Sequence, residues 1–318
     1  MNKYLAVMAF AACVALCGNG KAEDGIPAYS QQPGIAGTIN VIGSDTLNNL
    51  MAYWGEAFTA MYPNATVQVE GKGSSTAPPA LAAGAAQIGP MSRMMKQSEI
   101  EEFEKQRGFK PTAIAVAIDC LAVYVNKDNP LRGLSLPQID AVFSSTRKLD
   151  HADIATWGQL GLTDEWAKMN ISMYGRNAAS GTYAFFKEEA LGNGDYKNSV
   201  KEQPGSAAVV NGIAKDKAGI GYSGIGYKTS EVRVLPIAAA DGEEYIEANF
   251  TNAIDGSYPL ARLLYVYIAK DPNQPLPAAT REYLTFVLSK QGQDFVVRDG
   301  YGALPVDILS EQLDLLAD

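Results

Sequence analysis

Arg176, Ser180, Gly181 and Thr182 stand together in GRNAASGTYAFFKEEAL, residues 175–191, just ahead of a run with helical character. A guanidinium can grip an oxyanion through two parallel N–H bonds, and the hydroxyls of Ser180 and Thr182 add further donors. A helix start offers N–H groups with no intrahelical acceptor and a partial positive charge, while Gly181 lets a ligand approach the backbone. The chemistry this set supports is capture of an anion. An ordinary capped helix beside a surface arginine uses the same residues, and this segment alone leaves both readings open.

Two other segments share the design. GSDTL (43–47) comes after the strand-like INVI and opens a helix with Ser44, Asp45 and Thr46; GKGSSTAPP (71–79) comes after TVQVE and opens another with Ser74. QIGPMSRMMK (87–96) brings Ser92 and Arg93 to the end of a further strand, where they can add donors or simply face solvent. In open α/β sheets, ligands bind at the carboxyl ends of strands, where such loops converge. GIGYSG (219–224) matches GxGxxG literally, but the next residues, IGYKTSEVRVLPI, read as loop and strand instead of a dinucleotide-binding helix, and no GxxxxGK[ST] loop is present. The single histidine, His151, has no histidine or cysteine companions for a metal site and no triad serine in a recognisable order. No catalytic residue, metal or cofactor is therefore expected. Cys120, in AIAVAIDCLAVYV, reads as a buried inert thiol.

The elements that must position these loops read as α/β. Short β-rich runs alternate with helical ones: TINVIG with LNNLMAYWGEAFTAMY, ATVQVEG with PPALAAGAA, and QIGPMS with KQSEIEEFEKQR. The β-like run from Ala113 to Asn126 is about twice an ordinary strand, which fits a crossover between domains, broken near Asp119. A second long run, 258–270, carries Arg262, and the helical pattern after it resembles the first block. The expected organisation is a leader over 1–22, a mobile segment over 23–37, a discontinuous lobe I from 38–118 and 259–318, and lobe II over 119–258. A cleft between such lobes is where a small ligand is expected. Asp119 and Arg262, one on each crossover, are candidates to pair at a hinge or to orient Arg176.

With 318 residues, 47% hydrophobic and 19% charged, the composition is globular. The first 22 residues, MNKYLAVMAFAACVALCGNGKA, carry an apolar run shorter than the roughly 20 residues a bilayer needs, and then an A-x-A-like context. This reads as a cleaved secretory signal, which places the protein in the periplasm or outside the cell; lipid anchoring at Cys13 or Cys17 is disfavoured by the residues before them. Cleavage removes Lys3 and Lys21 and makes the net charge of −9 more negative still. Such a surface repels nucleic acid and anionic lipid.

Taken together, GSDT, GKGSSTAP, the crossover run ending in YVNKDNP, GRNAASGTYAFF, AGIGYSGIGY, YPLARLLYVY and LSKQGQDFVVRDGYGALP resemble the periplasmic phosphate-binding proteins of the Pst-type ABC transporter, in order, over most of residues 38–306. The resemblance implies a two-lobed periplasmic-binding-protein-like fold of type II, with two mixed sheets flanked by helices and a two-strand hinge. It implies a monomer that binds inorganic phosphate and delivers it to a membrane permease. The family's loops fall here on Ser44, Asp45 and Thr46, on Ser74, and on Arg176, Ser180, Gly181 and Thr182. Many members carry in a fourth loop an aspartate that accepts the phosphate proton; this chain has Ser92 there, with Arg93 next to it. Asp45 can supply that acceptor instead, or it can merely cap the helix at Thr46. A phosphatase on the same scaffold and a phosphate-binding surface or sensor protein are the alternatives.

Overall fold

The computed structural model describes residues 25–317, so the leader read over 1–22 lies outside the described residues. Strand β1 (Gly37–Gly43), helix α1 (Asn48–Met61), β2 (Ala65–Gly71), α2 (Ala77–Ala82), β3 (Gly89–Met91), α3 (Gln97–Arg107) and the long β4 (Thr112–Asn126) come first. Next are β5 (Leu134–Ser135), α4 (Leu136–Phe143), β6 (Ser172–Arg176), α5 (Gly181–Glu189), β7 (Lys201–Gln203), α6 (Ser206–Lys215) and β8 (Gly219–Gly224). After them come β9 (Val232–Leu235), β10 (Ile237–Ala238), α7 (Phe250–Ile254), β11 (Ala261–Ile268), α8 (Ala278–Val287), α9 (Lys290–Arg298) and α10 (Val306–Asp314). The fold is mixed α/β, its sheets flanked by helices.

The chain divides into two compact units. A central unit comprises Asp119–Asn177 and Thr182–Arg262; a terminal unit takes the described residues up to Ile118, the tetrapeptide Ala178–Gly181, and the chain from Leu263 onward. The sequence pattern gives no sign that 178–181, inside the segment read as lobe II, would group with the terminal unit.

In the terminal unit β1 and β2 pair in parallel over seven residues, from Gly37 against Ala65 to Gly43 against Gly71. The carboxyl ends of both strands, and hence the loops that leave them, therefore lie side by side. α1 buries Leu50, Met51, Trp54 and Phe58, the face its apolar spacing dictates. Trp54 adds an indole N–H bond of 2.8 Å to the Gly292 carbonyl, which ties α1 to α9. β3 runs antiparallel to β11 through Met91 and Tyr265.

The central unit is built on the second half of β4, antiparallel to both β8 and β9, with β6 parallel to β8 and to β7. GIGYSG is β8 itself, buried along its whole length, and not a nucleotide loop. Its glycines serve close approach: a Cβ on Gly221 would lie 2.5 Å from the Tyr174 carbonyl oxygen. Phe186 of α5 stacks on Tyr222 of β8 with ring centroids 3.8 Å apart, and Phe143 of α4 meets both rings edge-on, which fixes α5 on the sheet.

Two expectations are corrected. β4 is not broken near Asp119; it is one strand of 15 residues, and the carboxylate sits in it at 0% exposure because its oxygens are hydrogen-bonded in place. From Gly25 the segment expected to be mobile is laid against the terminal unit. Ile26 is buried, the Pro27 carbonyl accepts from Lys290 N, and the Tyr29 ring packs edge-on against Phe286 while its hydroxyl donates to Glu282 at 2.6 Å. An aromatic anchor with a buried acceptor outweighs the Gly/Pro composition that suggested mobility. No helix among the described residues is long and apolar enough to cross a membrane.

Candidate functional site

In the terminal unit three strand-to-helix loops bring three serine hydroxyls together. After β1, Ser44 caps a 3-10 turn at Asp45–Leu47: its Oγ accepts from Thr46 N at 3.2 Å and donates to Ser92 Oγ at 3.0 Å. Ser44 thus makes a cap bond of its own at this turn; Asp45, next in the chain, is half-buried beside the buried Thr46. After β2, Gly73 takes φ +106°, a left-handed value open to glycine, and the turn Ser74–Thr76 leads into α2. Pro78 in the first turn of α2 costs nothing there, because the N–H it lacks has no intrahelical acceptor. After β3, Ser92 N donates to Ser74 Oγ at 3.1 Å, and the two hydroxyl oxygens lie 3.3 Å apart.

The tetrapeptide Ala178–Gly181 completes this cluster. Ser75 N donates to the Ala179 carbonyl at 3.1 Å, and Ser180 is 2% exposed. A Cβ on Gly181 would lie 2.3 Å from Ser74 Oγ and 2.7 Å from Ser92 Oγ, so only glycine lets the start of α5 approach these hydroxyls. Ser44, Thr46, Ser74, Ser92 and Gly181 are therefore brought together, all of them buried. Arg93 is also buried, but its guanidinium is committed to Glu99, with Nη1 at 2.8 Å and Nη2 at 2.7 Å from the two carboxylate oxygens. Burial raises the Glu99 carboxyl, but hydrogen bonds from Arg93 and the Lys96 backbone, with their charges, outweigh it and hold it below the usual carboxylate range.

In the central unit Arg176 ends β6 at 2% exposure. Its backbone N–H donates to the Tyr222 hydroxyl at 3.3 Å, and its guanidinium donates to Ser206 Oγ at 2.8 Å and to the Pro204 carbonyl at 3.4 Å. Thr182, in the first turn of α5, is fully buried, and its Oγ accepts from Arg262 at 3.1 Å. Asp119 and Arg262 do pair, through Nε at 2.9 Å and Nη2 at 2.7 Å to one carboxylate oxygen. Through its bond to Thr182 the pair supports the start of α5. Cys120 is buried, its thiol donating to the Asn249 carbonyl and pushed up by burial and by the Asp119 charge. His151 contacts the neighbouring Ala152 carbonyl through Nδ1. Among the described residues no group of three or more His, Cys, Asp or Glu could hold a metal ion.

Sequence reasoning missed three supporting residues. Ser206 heads α6 in PGSAAVVNGIAK, where a Pro-Gly turn ahead of Val209, Val210 and Ile213 on one face was the available signal. Tyr222 was hidden in the glycine-rich β8. Tyr301, whose hydroxyl donates to the Thr46 carbonyl at 2.9 Å, is 255 residues away and left no local signal.

Hydroxyls, helix-start N–H groups and a guanidinium are each donors toward the acceptor oxygens of an anion. Comparison with known proteins bears on which one. A sequence model described as a PBP superfamily domain matches residues 28–291. The chain is 49% identical over 292 residues to the phosphate-binding protein PstS of Pseudomonas aeruginosa, covering 92% of this chain and 90% of that one. Its fold is similar to that of a protein from Clostridium perfringens crystallised with bound phosphate, with TM-score 0.71 and 23% identity over 85% of this chain and 100% of that one. It is likewise similar to an ABC-type phosphate transport receptor from Vibrio cholerae, with TM-score 0.65 and 22% identity over 84% of this chain and 100% of that one.

Proposed function

Because the chain belongs to the PBP superfamily and, within it, to the phosphate-binding proteins named PstS, we propose that it binds inorganic phosphate and delivers it to the membrane permease of an ABC transporter. The observation that carries the reading is the meeting of Ser44, Ser74 and Ser92 with the glycine start of α5. Phosphate oxygens take donors from Ser44, Thr46, Ser74, Ser92, Ser180 and the Gly181 backbone, together with Arg176 and Thr182, which flank that tetrapeptide in the chain. Arg93, locked to Glu99, adds field more than contact. Asp45 is the acceptor for the phosphate proton, so a fully deprotonated oxyanion such as sulfate meets an unpaired carboxylate and is disfavoured. The protein is a binding protein and not an enzyme, and it works in the periplasm, as a monomer, after loss of its leader.

Calorimetry of the mature chain against phosphate, arsenate, sulfate and molybdate tests this. Phosphate and arsenate should give saturating heats and sulfate none at equal concentration. A chain silent to all four, or one that prefers sulfate, overturns the proposal.

A further inference from the structure

Asp119 and Arg262 are charged residues buried at 0% and 5% exposure, and an ion pair so placed is costly unless each partner is fully engaged. Asp119 is: one oxygen takes Nε and Nη2 of Arg262, the other accepts from Ile225 N at 3.1 Å. A brace between β4 and β11 needs nothing more. Yet the same Nη2 also donates to Thr182 Oγ1 at 3.1 Å, and the guanidinium carbon sits 5.1 Å from the ring centre of Phe185, one turn further along α5. Arg262 is thus directed at the N-terminal face of α5 by a carboxylate behind it and an aromatic ring beside it.

We infer that Arg262, oriented by Asp119, is a positioning residue for anion binding that acts through the Thr182 hydroxyl; the inference rests on the phosphate reading above. A guanidinium can only donate, so the Thr182 oxygen is an acceptor on that side and its own proton points elsewhere. A hydroxyl that accepts a charge-assisted bond is a stronger donor in turn. Arg262 therefore fixes Thr182 as a polarised donor at a helix start whose backbone already favours negative charge. Asp119 neutralises Arg262, so the added donor comes without a second net cation. The ligand this favours is an anion presenting only acceptor oxygens at that position, not one presenting a hydroxyl.

A double-mutant cycle read by phosphate calorimetry separates this role from a brace. Replacing both charges, Asp119→Leu with Arg262→Met, avoids a lone buried charge and should leave the chain folded by thermal melt. It should weaken phosphate about tenfold, as loss of a charge-assisted donor would. Thr182→Val should weaken it by a similar factor, and in the Thr182→Val background the charge replacement should change affinity less than about twofold. An equal loss in both backgrounds, or none in either, overturns the inference while leaving the phosphate reading intact. Absence of phosphate heat in the parent chain overturns both. Should the double replacement fail to fold, Arg262→Lys is used in its place. It keeps the pairing charge but lacks the fork, and the same non-additivity with Thr182→Val is expected, with additive losses as the contrary result.

Discussion

In the terminal unit Ser44 and Ser74 each meet Ser92, hydroxyl to hydroxyl at 3.0 and 3.3 Å, whereas in the central unit Thr182 bonds a guanidinium that a carboxylate holds in turn. The first arrangement is neutral and depends on close approach: besides the contacts at Gly181, a Cβ on Gly43 would lie 2.2 Å from the Pro90 carbonyl and one on Gly73 2.6 Å from that of Ala179. The second depends on charge. A neutral hydroxyl cluster is therefore vulnerable to a single added methyl group, and a charge-oriented hydroxyl to the loss of a charge. Two buried arginines sharpen the contrast. Arg93 and Arg262 each meet a carboxylate, but Glu99 lies six residues from Arg93 and in the same local loop and helix, while Asp119 lies 143 residues from Arg262.

The largest effect is expected from Gly181→Ala. The backbone can stay helical there, so the change is steric: the new methyl collides with Ser74 and Ser92 Oγ and forces those hydroxyls to shift. Phosphate affinity should fall at least about a hundredfold, some 2.7 kcal/mol, with a small change in melting temperature. Near-parental binding by this variant would show that the hydroxyl cluster and the helix start do not share a ligand.

Arg176→Ala comes next. A hydrogen bond to a charged group is worth about 1.5–3 kcal/mol, so removing the arginine should weaken phosphate at least about tenfold. Ser206→Ala, which removes the bond steering Nη1, should lose less. If Ser206→Ala costs more than Arg176→Ala in the same titration, the cation acts as scaffold and not as ligand.

The legibility of the fold and site in the sequence divides along the same line. Helices α1 and α3 and strands β1, β2 and β4 are written in local periodicity, and the three hydroxyl loops in strand-to-helix junctions, so local pattern places Ser44, Ser74 and Gly181 at the right ends of the right elements. Local pattern does not carry long-range pairing. Nothing near Thr46 announces Tyr301, and nothing near Arg176 announces Ser206 or Tyr222, because those bonds are set by tertiary packing. The segment after Gly25 misleads for a related reason: its composition is that of a linker, while its anchor, Tyr29 on Glu282, depends on a helix 253 residues away.

A smaller effect belongs to Asp45. Asp45→Asn keeps the size but turns an obligate acceptor into a group that also donates, so sulfate loses its penalty while phosphate loses a strong bond. The phosphate-to-sulfate affinity ratio should narrow by about tenfold, in line with roughly 1–3 kcal/mol for a buried mismatch. Because Ser44 makes the cap bond, the turn itself should hold. An unchanged ratio in competition binding would remove Asp45 as the proton acceptor.

The smallest effect on binding is expected at Arg93, where the charge is answered by Glu99 before any ligand arrives. Arg93→Ala should change phosphate affinity by less than about threefold, well short of the 1.4 kcal/mol that a tenfold change requires. Its mark should fall on stability and its pH dependence. Glu99 is held below its usual range in the folded chain, so the folded state binds fewer protons there than the unfolded one. That contribution is present at pH values above the ordinary carboxylate value and is lost as pH falls through the depressed folded value. Removing Arg93 takes away the hydrogen bond and charge that lower Glu99 and leaves the burial that raises it. The variant should therefore be less stable than the parent at neutral pH, and the gap should close on acidification. Melting curves from pH 7 down to about pH 3 would check this. A gap that stays constant across that range would mean that Arg93 stabilises the loop by packing alone, and a large loss of phosphate affinity would move it into the site beside Arg176.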